Sequence, residues 1–148
     1  MTNGRAALPD GFASWVESRH QAVLATSRSD GTPQTSNISF AWMDGMAYVS
    51  VTSSRAKTRN LRRRPQAVLH VLGDTFWQYA AVTVAAELSP VSTAAGDDTG
   101  RGLLALYEAI RGEAHPDPDE FFAAMVEQER LLLTLRPVSV TGNGLPWQ

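Results

Sequence analysis

The stretch QAVLATSRSDGTPQTSNISFAWMDGMAYVSVTS, residues 21–53, decides the fold class. Its apolar period is two, the period of a strand with one buried face. Gln21–Arg28 is expected as one strand, Ser29-Asp30-Gly31-Thr32 as a turn, and Pro33–Met43 as a second strand with Ser36, Ile38, Phe40 and Trp42 on one face. Asp44-Gly45 is a hairpin signal, because a primed two-residue turn needs positive φ and this pair tolerates it. Met46–Ser53 returns as the third strand.

Outward from this core the period alternates. Upstream, Asp10 can cap a short helix whose Phe12, Trp15 and Val16 recur at helical spacing toward Arg19. Downstream, a basic helix ends near Pro65. Gln66–Leu72 and Phe76–Leu88 then form a strand pair joined through Gly73-Asp74, with Phe76, Ala80, Val82, Val84, Ala86 and Leu88 on the core face. Asp97 or Asp98 opens a helix presenting Leu103, Leu106, Tyr107 and Ile110, which Gly112 ends. Pro118 starts another with Phe121, Phe122, Met125 and Val126, and Leu131–Val140 is the last strand. Six strands with short helices between them predict a mainly β, antiparallel barrel or sandwich. At 148 residues, with no repeat or linker, one domain spanning 1–148 is expected.

Composition removes much chemistry. There is no cysteine, hence no disulfide, thiolate nucleophile, iron–sulfur centre or thiolate zinc site. Walker and Rossmann glycine loops, His-Glu-x-x-His and Gly-x-Ser-x-Gly are all missing. His20, His70 and His115 are scattered, so no metal is assigned to them, and a lone strand histidine such as His70 is more often packed than catalytic. The nine acids within 97–129 suit a solvated helical face better than an acid/base pair. No catalytic side chain is singled out. Residues 1–12 lack the cationic and apolar regions of an export signal, and no run approaches a membrane span, so the expected address is cytoplasmic.

Charge is the informative asymmetry. Residues 55–64 (RAKTRNLRRR) hold six of the 13 cations and no anion, leaving seven cations against 15 anions, a net of −8, elsewhere. That remainder opposes a nucleic-acid partner, and the aromatics are not interleaved with the cations. The pattern is a local anion site. Arg55 and Lys57 stand where a strand ends and a helix begins, so two cations and unpaired helix N–H groups can meet one phosphate. Cations early in a helix oppose its dipole and need another reason to be there, whereas Arg62, Arg63 and Arg64 sit late, where the dipole alone favours them.

The ordered set Val23-Leu24-Ala25-Thr26, Asp30 to Asn37, Arg55-Ala56-Lys57-Thr58-Arg59-Asn60-Leu61 and Trp77-Gln78-Tyr79-Ala80, continuing through Met125-Val126 and Leu131 to Leu135, resembles the pyridoxamine-phosphate-oxidase-like split-barrel proteins, especially the actinobacterial branch that uses coenzyme F420. The resemblance implies a six-stranded antiparallel Greek-key split β-barrel that forms a homodimer, with cofactor sites between subunits. It implies F420, or alternatively FMN, beside Gln34, Ser36 and Asn37, lined by Ser50 and Val51. Arg55, Ala56 and Lys57 would take the phosphate, with Asn60 nearby, and Trp77 and Tyr79 would come from the opposite subunit. On their own strand pattern, Trp77 and Tyr79 lie off the core face, as an interface or ligand wall requires, although a barrel interior accounts for them equally well. The activity implied is hydride transfer from reduced F420 to a conjugated small organic acceptor. The alternatives are an FMN flavoprotein and a non-catalytic F420 carrier. The tail Gly142 to Gln148 differs from the arginine-rich substrate tail of true pyridoxamine phosphate oxidases, which argues against that reaction. Arg59 and Arg62–Arg64 would suit the anionic polyglutamate tail of F420.

Overall fold

The computed structural model describes residues 8–148. Residues 1–7, part of the segment expected to lack an export signal, lie outside the described part. The elements in chain order are α1 (Phe12–Val16), β1 (Gln21–Ser27), β2 (Pro33–Ser39), β3 (Ala41–Met43), β4 (Met46–Thr52), α2 (Ala56–Arg63), β5 (Gln66–Leu72), β6 (Tyr79–Leu88), α3 (Asp98–Arg111), α4 (Pro118–Glu127) and β7 (Arg130–Asn143). The strands form one antiparallel sheet in the order β2-β1-β5-β6-β7-β4-β3. Among the described residues no helix is long and apolar enough to cross a membrane.

Seven strands replace the expected six because Pro33–Met43 bends at Phe40. The Phe40 side chain is wholly buried and its N–H donates to the His20 carbonyl at 2.9 Å, the last rung in register with β1, after which the chain turns to pair with β4. Before the bend, β2 pairs with β1 at one sheet edge; after it, β3 pairs with β4 at the other. One bent ribbon therefore draws the two edges together. Since β3 begins only at Ala41, opposite Tyr48, the remainder of β4 has no ladder partner on that side among the described residues, and β2 and β4 part to leave an opening.

The interior follows the strand period. Leu24, Leu69, Val71, Val82, Val49, Val51, Leu131, Leu133 and Leu135 are all buried in one cluster. α1 closes its end with Phe12, Trp15 and Val16, and Trp147 meets Phe12 and Trp15 edge-on at 5.8 and 6.0 Å. Asp10 does not cap this helix. Gly11 occupies the cap with φ 91°, a conformation that glycine adopts without the Cβ penalty. The expected Asp44-Gly45 turn is present, with φ of 52° and 78°.

The strand expected from Phe76 starts instead at Tyr79. The Gly73 N–H donates to the Gln78 carbonyl at 2.8 Å and the Gln78 N–H to Thr75, closing a loop that lifts 74–77 off the ladder. Phe76 is consequently 86% exposed rather than in the core, edge-on to an also exposed Trp77.

α3 and α4 form a hairpin against the outer face of β7, where Leu132 joins Leu103, Phe121 and Met125 in a second small core. Gly102 lets α3 approach that closely, since a Cβ there would lie 3.1 Å from the Leu132 side chain. Asp97 caps α3 as expected, accepting from the N–H of Gly100, Thr93 and Ala94 and from the Ser92 hydroxyl. These bonds to the ionised carboxylate pull its pKa down to about 2.

Candidate functional site

The opening between β2 and β4 is a cavity of about 510 Å³. β2 supplies Asn37, Ile38 and Ser39; β4 supplies Val49 and Ser50; α2 supplies Lys57 and the start of β7 supplies Arg130. The α3–α4 hairpin roofs it with Leu106, Tyr107, Ile110, Phe121 and Met125. A smaller hollow of about 290 Å³ shares Asn37, Ile38 and Ser39 and runs on to Leu72, the ladder partner of Tyr79.

One end of the cavity is cationic. α2 begins directly after β4, so Arg55 is its N-cap and Lys57 lies in its first turn. No side chain caps that turn, leaving first-turn N–H groups for a ligand. The Thr58 hydroxyl donates to the Thr52 carbonyl at 2.7 Å and fixes the strand–helix junction. Lys57 is half-buried, and burial first, then the charges of Arg55 and Arg130, hold its pKa below the usual lysine value. Burial and Arg55 likewise lower that of Arg130. Among the described residues no carboxylate forms an ion pair with any of the three. Three neighbouring cations with no ion-paired carboxylate among the described residues make this end of the cavity favourable to anions.

Sequence reasoning missed Arg130. Its Nε donates to Gln128 Oε1 at 2.9 Å and its Nη1 to Ser50 Oγ at 3.2 Å, aiming the guanidinium across from β7 toward β4. The available signal was a single cation at the foot of the last strand, next to an acidic helix. Only the pairing of Thr52 with Arg130 brings it to the basic segment.

The expected site residues divide into groups. Asn37, Ser50 and Lys57 line the cavity, and Arg55 and Ala56 are exposed at its cationic rim. Gln34, Ser36 and Asn60 instead form a polar seam under α2. Thr26 Oγ1 donates to Gln34 Oε1, Gln34 Nε2 donates to Ser36 Oγ, and the buried Asn60 donates to Thr26 and accepts from Arg63. The Val51 side chain points into the barrel core. Trp77 and Tyr79 do not line the cavity; Trp77 lies on the β5–β6 loop, and Tyr79 stacks on His70 with ring centroids 4.8 Å apart. His20 Nδ1 lies 2.9 Å from the Phe40 carbonyl, and His115 accepts from the Asp117 N–H. Among the described residues no group of three His, Cys, Asp or Glu is placed to hold a metal.

Residues 8–141 match the pyridoxamine 5'-phosphate oxidase family along nearly the whole chain. The chain belongs to that family. An F420 reductase is similar to this pyridoxamine 5'-phosphate oxidase family member with a TM-score of 0.69 and 27% identity, over 90% of this chain and 98% of the other. A conserved hypothetical protein from Mycobacterium tuberculosis gives 0.68 at 20% identity, over 100% and 95% of the two chains. HutZ, a heme storage protein from Vibrio cholerae, gives 0.65 at 17% identity, over 89% and 92%. The split-barrel fold is thus shared by an F420 reductase and a heme storage protein, so the fold alone does not fix the function.

Proposed function

We propose that the protein is a cytoplasmic, homodimeric reductase in which bound F420 supplies the hydride for a conjugated small organic acceptor. The observation that carries this reading is the pairing of Arg55 with Lys57 at the uncapped start of α2, beside the mouth of a 510 Å³ cavity and with no ion-paired carboxylate among the described residues. That volume falls within the usual range for small-molecule sites. The donor set fits a phosphoryl group: a guanidinium, an ammonium and helix N–H groups, each stronger toward an anion than toward water. Arg55 and Lys57 hold the phosphate, while Asn37 and Ser50 orient the ring-bearing part in the split. The apolar roof excludes water from the acceptor, which suits a reaction whose chemistry resides in the cofactor. The 27% identity with an F420 reductase supports the same choice.

One observation favours FMN as the second reading. Of the arginines available for a polyanionic tail, Arg62 already donates to the Ser53 carbonyl and hydroxyl, and Arg63 to Asn60. Parallel titrations distinguish the two, following F420 fluorescence and FMN fluorescence at equal protein concentration. Saturable quenching of F420 at concentrations that leave FMN free is expected. Tighter FMN binding transfers the assignment to a flavoprotein. Binding of F420 without turnover in a screen of conjugated acceptors identifies a carrier.

A further inference from the structure

The cavity has two chemically distinct ends. Leu106, Ile110, Phe121 and Met125 form an apolar wall on the α3–α4 side, whereas the charged lining residues among those described are Lys57 and Arg130. The Arg130 guanidinium spends two of its five N–H donors, one on Gln128 and one on Ser50, leaving three for a ligand. A half-buried guanidinium braced on one side by a glutamine and a serine is set to receive a carboxylate in a forked pair. Arg55, by contrast, is exposed at the α2 N-cap, outside the roofed chamber.

We propose that the chamber beneath α3 and α4 binds a compact amphiphilic carboxylate, its carboxylate on Arg130 and its apolar ring or chain against Leu106, Tyr107, Ile110 and Phe121. Only the description of this ligand as the acceptor rests on the proposed reductase function; the binding site stands on the cavity alone. Arg130 thereby sets specificity for an anionic acceptor, while Lys57 and Arg55 serve the cofactor phosphate. Neutral molecules of equal shape would leave the guanidinium donors unpaired and bind more weakly.

Isothermal titration of the full chain with trans-cinnamate and with its neutral isostere trans-cinnamamide tests this. Cinnamate is expected to bind at least tenfold more tightly. Arg130→Gln removes that preference and leaves F420 affinity within twofold. Ile110→Trp, filling the apolar end, excludes cinnamate and spares F420, so the two ends are tested by separate variants. Equal binding of acid and amide, no binding of either, or an Arg130→Gln variant that loses F420 but keeps cinnamate each overturns the proposal. Failure of the wild type to bind F420 while these cinnamate results hold would sink the reductase reading and leave the chamber assignment intact.

Discussion

Lys57 opposes stability while it serves binding. Its pKa is lowered in the folded chain, first by burial and then by Arg55 and Arg130, so folding disfavours its ammonium form. That cost is fully present below the lowered pKa and disappears as pH rises past it toward 10.5. Lys57→Met is therefore expected to raise the Tm of the ligand-free protein at pH 7 by roughly 1–3 °C. The same change should weaken F420 binding by about 1.5–3 kcal/mol, roughly ten- to a hundredfold, the scale of a charge-assisted hydrogen bond. The pH dependence follows: wild-type affinity should fall more steeply than that of the variant as pH rises toward 10.5, measured by F420 fluorescence. A variant of unchanged affinity removes Lys57 from the phosphate site. Lys57 was legible in the sequence because an early helical cation contradicts the dipole, and a contradiction of a local rule asks for a ligand. Arg130 breaks no local rule and was invisible until β4 and β7 were paired.

At the scale of elements, the α3 cap offers a test with a pH signature. The Asp97 carboxylate gathers three N–H groups and a hydroxyl, and its pKa of about 2 lies below the usual aspartate value of 3.8. A depressed folded-state pKa contributes stability above pH 4 that is lost as pH falls toward 2. Asp97→Ala should lower the Tm by a few degrees at pH 7, and the gap from wild type should narrow on acidification below pH 4. A gap that stays constant with pH would deny the carboxylate its role. Gly142 offers a second test, since a Cβ there would collide with the Tyr79 carbonyl and the Ala80 backbone, where β6 and β7 pair. Backbone cannot yield as a side chain can, so Gly142→Ala should destabilise by about 2 kcal/mol or more in urea titration. Elements with strong punctuation were read well: Gln66–Leu72, the Asp44-Gly45 turn, the Gly112 cap and the Pro118 start. The misreadings at Phe40 and Phe76 share one cause. Both are aromatics that continue an alternating pattern, but at Phe40 the chain changes partner from β1 to β4 and at Phe76 a Gly73–Gln78 loop closure lifts it off the ladder, and no local period encodes either.

For the whole molecule, the uneven cover of the sheet determines how two copies would meet. α3 and α4 lie over the outer side of β7, but β1, β5 and β6 present an outer face in register: Val23, His70 and Ala81 in one row, Ala25, Val68 and Thr83 in the next. Leu72, Phe76 and Trp77 extend it as exposed apolar groups. A surface of this kind is suited to self-association about a two-fold axis, where one patch meets itself. Val68→Asp puts a carboxylate in that patch on both copies and should convert a dimer to a monomer, as light scattering after gel filtration would report. A wild type that is monomeric at micromolar concentration defeats the arrangement outright. The proposed dimer would bring Trp77 of one copy to the site built on Lys57 of the other, and subunit mixing tests that arrangement. Lys57→Ala and Trp77→Ala homodimers should each bind F420 poorly. When they are unfolded together and refolded, about half the dimers are mixed, and each carries both lesions in one site and none in the other, so about a quarter of all sites regain full affinity. If Lys57 and Trp77 acted within one chain, every mixed site would contain a lesion and no affinity would return. Recovery on mixing therefore separates a shared site from a private one, independently of which acceptor the chamber holds.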